Sequence, residues 1–339
     1  MKKILLIYTG GTIGMQENPH NGALEAVDFD KTLPLLRELS LMDVNVDVEK
    51  FTLPIDSSDM GPDRWRDIVD IIADHYSLYD GFVILHGTDT MAYTASALSF
   101  MLEGLNKPVV LTGSQLPIGK RRTDGNENLI TAIEIAAATT LEGAPRVPEV
   151  CICFHDKLLR GNRTTKSSAD AFDAFCSFNY PELASIAIDI NYFPQRILPY
   201  RADATLVSHR NMDCNMLVLS LFPGIKESTV RTMLETPGLK GVVMRTFGSG
   251  NAPTSHWLTL LLKEYVDRGL VIVNITQCAG GNVVMNRYET GLHLQNIGVI
   301  SGHDSTVEAA LTKLMRLFGD GLSAGEVKKM MQISLAGEI

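Results

Sequence analysis

Short apolar runs that end at glycine recur along the first half of the chain, and segments with helical spacing separate them. The runs lie within Lys2–Tyr8, Gly81–Thr90 and Lys107–Gln115. Each is typical of a strand that is buried on both faces of a parallel sheet. Val44–Leu53 alternates apolar and polar residues and predicts a further strand, whereas Pro62–Tyr79 repeats apolar residues at helical spacing. The recurrence of strand, turn and helix predicts βαβ units and a mostly parallel sheet.

The pattern breaks over residues 191–214, where proline and polar residues interrupt the periodicity. Strand-like and helix-like segments then resume on a smaller scale. A chain of 339 residues also exceeds the size of a typical single core. We therefore predict two α/β domains. The larger, at 1–192, would hold a flavodoxin-like or Rossmann-like, mostly parallel sheet, followed by a linker at 193–214 and a smaller domain at 215–339.

Composition and charge narrow the class of protein. With 45% hydrophobic and 20% charged residues, the chain is typical of a soluble globular protein. The net charge of −9 disfavours a nucleic-acid partner, and no apolar stretch approaches the ~20 residues of a membrane span. The five cysteines lack the spacing of a zinc site or a C-x-x-C redox pair. We expect reduced thiols, a cytoplasmic location, no membrane contact and no metal.

Hydroxyl and carboxylate side chains collect where the predicted strands end. In parallel α/β folds the carboxyl ends of the strands form the ligand-binding edge, so these residues are candidates for one site. They are Thr12 after the first strand, Asp56, Ser57 and Ser58 after the second, Thr88 and Asp89 after the third, Ser114 after the fourth and Lys166 after the fifth. The sequence thus predicts a site built from hydroxyls, carboxylates and one lysine.

The glycine-rich turn YTGGTIGM, residues 8–15, resembles a phosphate-binding loop only in part. Its spacing differs from G-x-G-x-x-G, and the chain has no Walker-type loop, no G-x-S-x-G elbow and no H-E-x-x-H zinc motif. The remaining possibility is catalysis by a hydroxyl nucleophile that a base activates. Thr88 supplies a hydroxyl, Asp89 an orienting acid and Lys166 a base. Backbone N–H groups near Thr12 would stabilise an oxyanion. Nucleotide binding at this turn and a helix-capping role for Thr12 are the alternatives.

Paired motifs along the whole chain resemble those of one family. TGGTIG near the start, HGTDTMAYTA about seventy residues later and RGNRTTKSSADAFDAF beyond it are similar to motifs of the bacterial L-asparaginases. DSSDM, TGSQLP, GSGNAP and NITQC extend the resemblance from end to end. Because the apolar run at the start is too short for a signal peptide, the chain resembles the cytoplasmic type I branch.

The resemblance implies an activity and roles for the residues at the strand ends. L-asparagine would be hydrolysed to L-aspartate and ammonia through an acyl-threonine ester, without a cofactor. Thr12 would be the nucleophile, and Thr88, Asp89 and Lys166 would form a second catalytic triad. The residues expected to bind the substrate are Asp56, Ser57, Ser58, Thr88, Asp89 and Ser114. The family also implies a homo-oligomer, either a dimer or a dimer of dimers.

The chain departs from the family in the segment after the first motif. Many relatives carry a tyrosine there, but Gln16–Ala26 contains none. Tyr288 is our candidate for the missing group. Some type I enzymes also bind asparagine at an activating effector site, and Arg245, Cys278 and Thr165 match positions of that site. As alternatives, Arg245 would pair with a local carboxylate and Cys278 would be a small core residue.

Two other functions are compatible with the same motifs. The asparaginase-like subunit of a tRNA-dependent glutamyl-tRNA amidotransferase shares them. A non-catalytic amino-acid sensor would keep the pocket without the chemistry, but such a protein has no use for two threonines and a lysine in the site. The L-asparaginase interpretation is therefore the leading one.

Overall fold

The structure is a computed structural model that describes residues 1–17, 24–26, 41–118, 120–254, 256–285 and 289–339. The chain divides into two compact units, Met1–Ser208 and His209–Ile339. The division falls inside the segment 193–214 that the sequence marks as a linker. In that segment, Val207–Ser208 pairs with Leu102–Glu103 and belongs to the first unit.

The first unit contains the larger sheet. Its strands are β1 Lys2–Gly10, β2 Met15–Glu17, β3 Leu24–Ala26, β4 Val44–Ile55, β5 Gly81–Leu85, β6 Leu102–Glu103, β7 Val109–Thr112, β8 Val150–Phe154, β9 Lys157–Arg160, β10 Thr165–Lys166, β11 Phe175–Cys176, β12 Ala184–Ile186, β13 Ile190–Tyr192 and β14 Val207–Ser208. The helices among its described residues are α1 Pro62–His75, α2 Met91–Met101 and α3 Gly125–Ala137, with short 3₁₀ helices at Thr12–Gly14, Ser57–Asp59, Gly161–Arg163 and Pro194–Arg196.

Eight of these strands form one sheet in the order β13-β12-β9-β8-β7-β5-β1-β4. The run from β4 to β8 is parallel throughout, which confirms the predicted mostly parallel sheet. In chain order its strands read 2-1-3-4-5, the flavodoxin-like arrangement, and the order reverses between β1 and β5. Ligands of such folds bind in the crevice at this switch point, beyond the carboxyl ends of the strands. The expected site therefore lies where β1 and β5 end.

The pattern of apolar residues accounts for the main elements of this sheet. Residues 4–10 of β1 and all of β5 are buried, since this part of the sheet is covered on both faces. Helix α1 buries Trp65, Ile68, Val69 and Ile72, the four positions that its spacing predicts. The helix begins at Pro62, which is tolerated at N1, and ends at His75, four residues before the predicted end.

The second unit holds a four-stranded parallel sheet. Its elements are β15 Met216–Ser220, α4 Glu227–Leu234, β16 Gly241–Thr246, α5 His256–Asp267, β17 Val271–Thr276, α6 Glu289–Asn296, β18 Ile300–Ser301, α7 Val307–Gly319 and α8 Ala324–Met330. The sheet has the order β15-β16-β17-β18. Helix α7 begins after Thr306, whose side chain accepts a hydrogen bond from the Ala309 N–H. Among the described residues, no helix is both long enough and apolar enough to cross a membrane.

Candidate active site

Glycines let the turns at the switch point pack directly on one another. Gly11, with φ of 86°, follows β1, and a Cβ atom at this residue would lie 2.5 Å from the Gly87 nitrogen. A Cβ atom on Gly87, which follows β5, would lie 2.5 Å from the Ser57 Oγ. Such distances are shorter than real carbon contacts allow, so only glycine fits at Gly11 and Gly87 without a shift of the neighbours. The turns that carry Thr12, Thr88 and Ser57 are therefore neighbours.

Replacement of Gly11 by alanine tests this packing. We expect Gly11→Ala to lower turnover at least ~10-fold, because the new Cβ must push Gly87 and Thr88 out of place. Gly143→Ala is the matched control, since Gly143 has φ of 82° but no atom within 4 Å of the added carbon. The control should lose about 1 kcal/mol of stability and keep full turnover. Thermal unfolding measures the stability of each variant, and steady-state rates measure its turnover. Equal turnover in the two variants would contradict the packing argument.

Thr88, Asp89 and Lys166 lie in hydrogen-bond contact. The Lys166 Nζ donates to the Thr88 Oγ1 at 2.8 Å and to an Asp89 carboxylate oxygen at 2.7 Å. The Lys166 side chain is 17% exposed and the Asp89 side chain 66% exposed, so the amine is enclosed while the carboxylate faces solvent. Strand β10 presents Lys166 by pairing with Phe175 of β11. An amine this close to a hydroxyl can exchange a proton with it.

Thr12 is the first residue of the 3₁₀ turn that follows β1, and it is half-buried. The turn closes with a hydrogen bond from the Gly14 N–H to the Gly11 carbonyl at 3.2 Å. The N-cap residue of this turn is Gly11, so the Thr12 side chain does not cap it. The helix-capping alternative for Thr12 therefore finds no support here.

Asp56, Ser57 and Ser58 form the turn after β4. An Asp56 carboxylate oxygen accepts hydrogen bonds from the Ser58 N–H at 2.9 Å and from the Ser58 Oγ at 2.8 Å. Both bonds lower the pKa of Asp56 below its usual value, and the bond from the Ser58 N–H has the larger effect. Ser57 is buried, and its carbonyl accepts a hydrogen bond from the Thr90 hydroxyl at 2.6 Å. The Thr90 bond ties this turn to the one that carries Thr88 and Asp89.

Two family models together match most of the chain. The model described as Asparaginase, N-terminal matches residues 3–198, and the model described as Glutaminase/Asparaginase C-terminal domain matches residues 215–331. The chain belongs to the asparaginase family. Its two family regions leave unmatched only short stretches at the ends and residues 199–214, which lie within the predicted linker.

Individual members of the asparaginase family resemble this chain along its full length. L-asparaginase 1 of Escherichia coli K12 is 43% identical over 339 residues, covering 100% of this chain and 98% of the relative. The crystal structure of L-asparaginase I from Vibrio cholerae superposes with a TM-score of 0.90 at 41% identity, covering 100% and 99% of the two chains. One component of the glutamyl-tRNA(Gln) amidotransferase of Methanobrevibacter smithii is 34% identical, covering 99% of this chain and 77% of that component.

Ser114 occupies a turn of this asparaginase that is built around Asp124. Ser114 is buried, and its hydroxyl donates to the Leu116 carbonyl at 2.6 Å. The Asp124 carboxylate accepts from the Gln115 N–H at 3.0 and 3.1 Å. The Gln115 side-chain amide donates to the Ala171 carbonyl at 2.8 Å, in the loop that follows Lys166. The Ser114 proton is thus used within its own turn, and only its oxygen lone pairs are left for a ligand.

Sequence reasoning assigned no role to His86, which the structure places beneath the Thr88 turn. His86 is fully buried, which lowers its pKa to about 4 and keeps the imidazole neutral. Its Nδ1 lies 2.7 Å from the Gly87 carbonyl, and its Nε2 lies 2.9 Å from the Thr94 hydroxyl. Because Thr94 accepts from the Trp65 Nε1 at 3.0 Å, its own proton is available to His86 Nε2. His86 then donates from Nδ1 to the peptide that precedes Thr88.

The candidate effector residues of this asparaginase differ in exposure. Arg245 lies on β16 and is half-buried, and its Nε has no hydrogen-bond partner in the part of the chain that the structure describes. Cys278 is exposed, so its alternative interpretation as a core residue is wrong. Thr165 lies on β10, next to Lys166. Tyr288 lies outside the described residues, as does most of Gln16–Ala26.

Proposed function

We propose that this asparaginase hydrolyses L-asparagine to L-aspartate and ammonia through an acyl ester on Thr12. The observation that carries the proposal is the contact of the Lys166 amine with the Thr88 hydroxyl and the Asp89 carboxylate. A hydroxyl becomes a useful nucleophile or proton relay only when a neighbouring group exchanges a proton with it.

The reaction would proceed in two steps at the switch point. The Thr12 oxygen attacks the amide carbon of the substrate, and backbone N–H groups of the Gly11 turn stabilise the resulting oxyanion. The C–N bond then breaks, and the leaving nitrogen takes up the proton that the Thr12 hydroxyl lost during the attack, so that it departs as ammonia. In the second step Lys166, through Thr88, accepts a proton from water, and the water oxygen attacks the ester carbon. The ester C–O bond breaks, aspartate leaves, and the Thr12 oxygen takes that proton back.

The ends of β4 and β5 would hold the rest of the substrate. Asp56 keeps its negative charge because the hydrogen bonds from Ser58 lower its pKa. Together with the exposed carboxylate of Asp89, it offers anionic partners for the α-amino group of asparagine. The hydroxyl and N–H of Ser57 are the matching donors for the α-carboxylate, while Ser58 donates both of its own to Asp56 and holds that carboxylate in place. L-asparagine is thus the partner that this charge pattern favours.

Release of ammonia from L-asparagine by the purified full chain tests the proposed activity. We expect equal amounts of ammonia and L-aspartate, without addition of a metal or an organic cofactor. L-glutamine provides the comparison, since one extra methylene changes binding by only ~1–3 kcal/mol and a slower glutaminase reaction is compatible with the same chemistry. A folded protein that releases no ammonia from L-asparagine would contradict the proposal.

We also propose that asparagine activates the enzyme at a second site, for which Arg245 and Cys278 are the candidate residues in the second unit. The unsatisfied, buried Arg245 Nε supports this, because a guanidinium group of this kind binds a carboxylate well. We expect the rate to rise sigmoidally with asparagine concentration in the wild type and hyperbolically in Arg245→Met. A hyperbolic curve for the wild type would remove the effector site. Arg231→Met is the control, since Arg231 pairs with Glu227 on α4.

We also propose that the enzyme is a cytoplasmic homo-oligomer and that Tyr288 assists Thr12. A dimer or a dimer of dimers follows from the family resemblance, and Tyr288 is kept as the candidate that assists Thr12. A cytoplasmic location is supported by five cysteines that are all free. An amidotransferase component is the weaker alternative, because identity falls from 43% to 34% and coverage of the relative from 98% to 77%. A non-catalytic sensor is disfavoured because it would not need an amine in contact with the Thr88 hydroxyl and the Asp89 carboxylate.

A further inference from the structure

A buried tyrosine lies directly beneath the turn that carries Thr12. Tyr8 is 3% exposed and packs in the core of the sheet with Leu6 and Ile13. Its hydroxyl donates a hydrogen bond to the Gly14 carbonyl at 3.1 Å. A Cβ atom on Gly14 would overlap the outer ring atoms and the hydroxyl of Tyr8. The ring thus occupies the space that any side chain at position 14 would need.

Tyr8 donates its hydrogen bond to the last carbonyl of the turn. The terminal carbonyls of a short helix have no partner within it, and Gly14 is the last residue of Thr12–Gly14. Burial raises the pKa of Tyr8 to about 12, so the hydroxyl keeps its proton and stays a donor at any pH at which the protein works. The turn is then fixed at Gly11 by Gly87 and at Gly14 by Tyr8.

We propose that Tyr8 is a positioning residue for Thr12, and this inference rests on the proposed role of Thr12 as nucleophile. The ring and hydroxyl of Tyr8 would hold the turn so that the Thr12 hydroxyl keeps one orientation toward the amide carbon. Correct placement of reacting groups is a large part of catalysis, and a displacement of ~1 Å costs as much as 10²-fold in rate. We call this support of the Thr12 turn by the ring and hydroxyl of Tyr8 the brace. Loss of the brace should therefore lower kcat and leave KM almost unchanged.

Tyr8→Phe tests the hydroxyl, because the ring stays and only the hydrogen bond to Gly14 is removed. We expect kcat to fall roughly 5-fold to 20-fold, with KM within about 2-fold of the wild type. Tyr180→Phe is the matched control, since the Tyr180 hydroxyl donates to the Arg196 carbonyl at 2.8 Å elsewhere in the same unit. The control should lose a similar amount of stability and keep its kcat. Equal kcat in the two variants would overturn the proposal.

A double-mutant cycle tests the fit between the ring and the glycine. Gly14→Ala alone should impair the enzyme strongly, since the new methyl group overlaps the Tyr8 ring. Tyr8→Ala/Gly14→Ala removes the ring and should recover at least ~10-fold in kcat relative to Gly14→Ala. Effects that simply multiply would show that the two positions act independently, and would contradict the brace.

The rate of acylation separates this proposal from the proposed function. Rapid-quench measurement of the first turnover should locate the loss in Tyr8→Phe in the formation of the acyl-enzyme. If wild type forms an acyl-enzyme on Thr12 and Tyr8→Phe forms it equally fast, the brace is wrong and the proposed function stands. If wild type forms no acyl-enzyme at Thr12, the proposed role of Thr12 fails first.

Discussion

Thr12→Ala should abolish the release of ammonia from L-asparagine. The substitution removes the only atom that is proposed to bond covalently to the substrate, while the turn keeps its glycines and its contact with Gly87. Loss of a catalytic nucleophile lowers kcat by about 10³-fold or more, because binding and oxyanion stabilisation alone remain. Steady-state ammonia release with a coupled assay measures the loss.

Two further measurements make this result specific. Thr12→Ala should unfold within a few degrees of the wild-type Tm, since Thr12 is half-buried and makes no capping hydrogen bond of its turn. Acid quench of the wild type during turnover, followed by mass spectrometry, should find an aspartyl ester on the peptide that contains Thr12. Unchanged turnover in Thr12→Ala, or an adduct on another residue, would contradict the assignment of the nucleophile.

Lys166→Met should have an effect nearly as large. Methionine has a similar length and keeps the side chain enclosed, but it removes the amine that contacts Thr88 at 2.8 Å and Asp89 at 2.7 Å. Loss of a general base typically lowers the rate by 10²-fold to 10⁴-fold. We expect kcat to fall in this range while L-aspartate still binds, which equilibrium dialysis with the product can measure.

Lys157→Met serves as the control for this substitution. Lys157 also pairs with an aspartate in the same unit, with its Nζ 2.6 Å from Asp173, but it lies outside the turns at the switch point. Its loss should leave turnover unchanged, since a partly exposed ion pair contributes at most ~1 kcal/mol to stability. Lys166→Met with a kcat close to that of Lys157→Met would rule out Lys166 as the base.

Much of this site could be predicted because its position follows from the order of the strands. Each apolar run that ends at glycine marks a strand end, and parallel strands bring their ends to one edge. The sequence therefore predicts Thr12, Ser57 and Thr88 at one edge, whereas Lys166 follows the antiparallel strand β9 and contacts Thr88 and Asp89 from β10.

Other features depend on contacts that no local pattern encodes. The role of His86 comes from its burial and from hydrogen bonds to Gly87 and Thr94, which are made in three dimensions. Likewise, the hydroxyl of Ser114 is directed into its own turn because Leu116 folds back over it. The antiparallel additions β9, β12 and β13 at one side of the sheet also escaped prediction, since strands of three or four residues carry too little periodicity.

The close contacts among Gly11, Gly14 and Gly87 have a consequence for protein engineering. At each of these positions a single added carbon meets backbone or side-chain atoms, so a library that randomises them will consist mostly of inactive members. Gln115, next to the candidate substrate-binding residue Ser114, is a better starting point for such a library. The Gln115 side chain reaches from the turn after β7 to the loop at Ala171. A hydrogen bond to the Ala171 carbonyl holds it there, rather than close packing against neighbouring atoms. Substitutions in this enzyme are therefore better tolerated beside the Thr12 turn than within it.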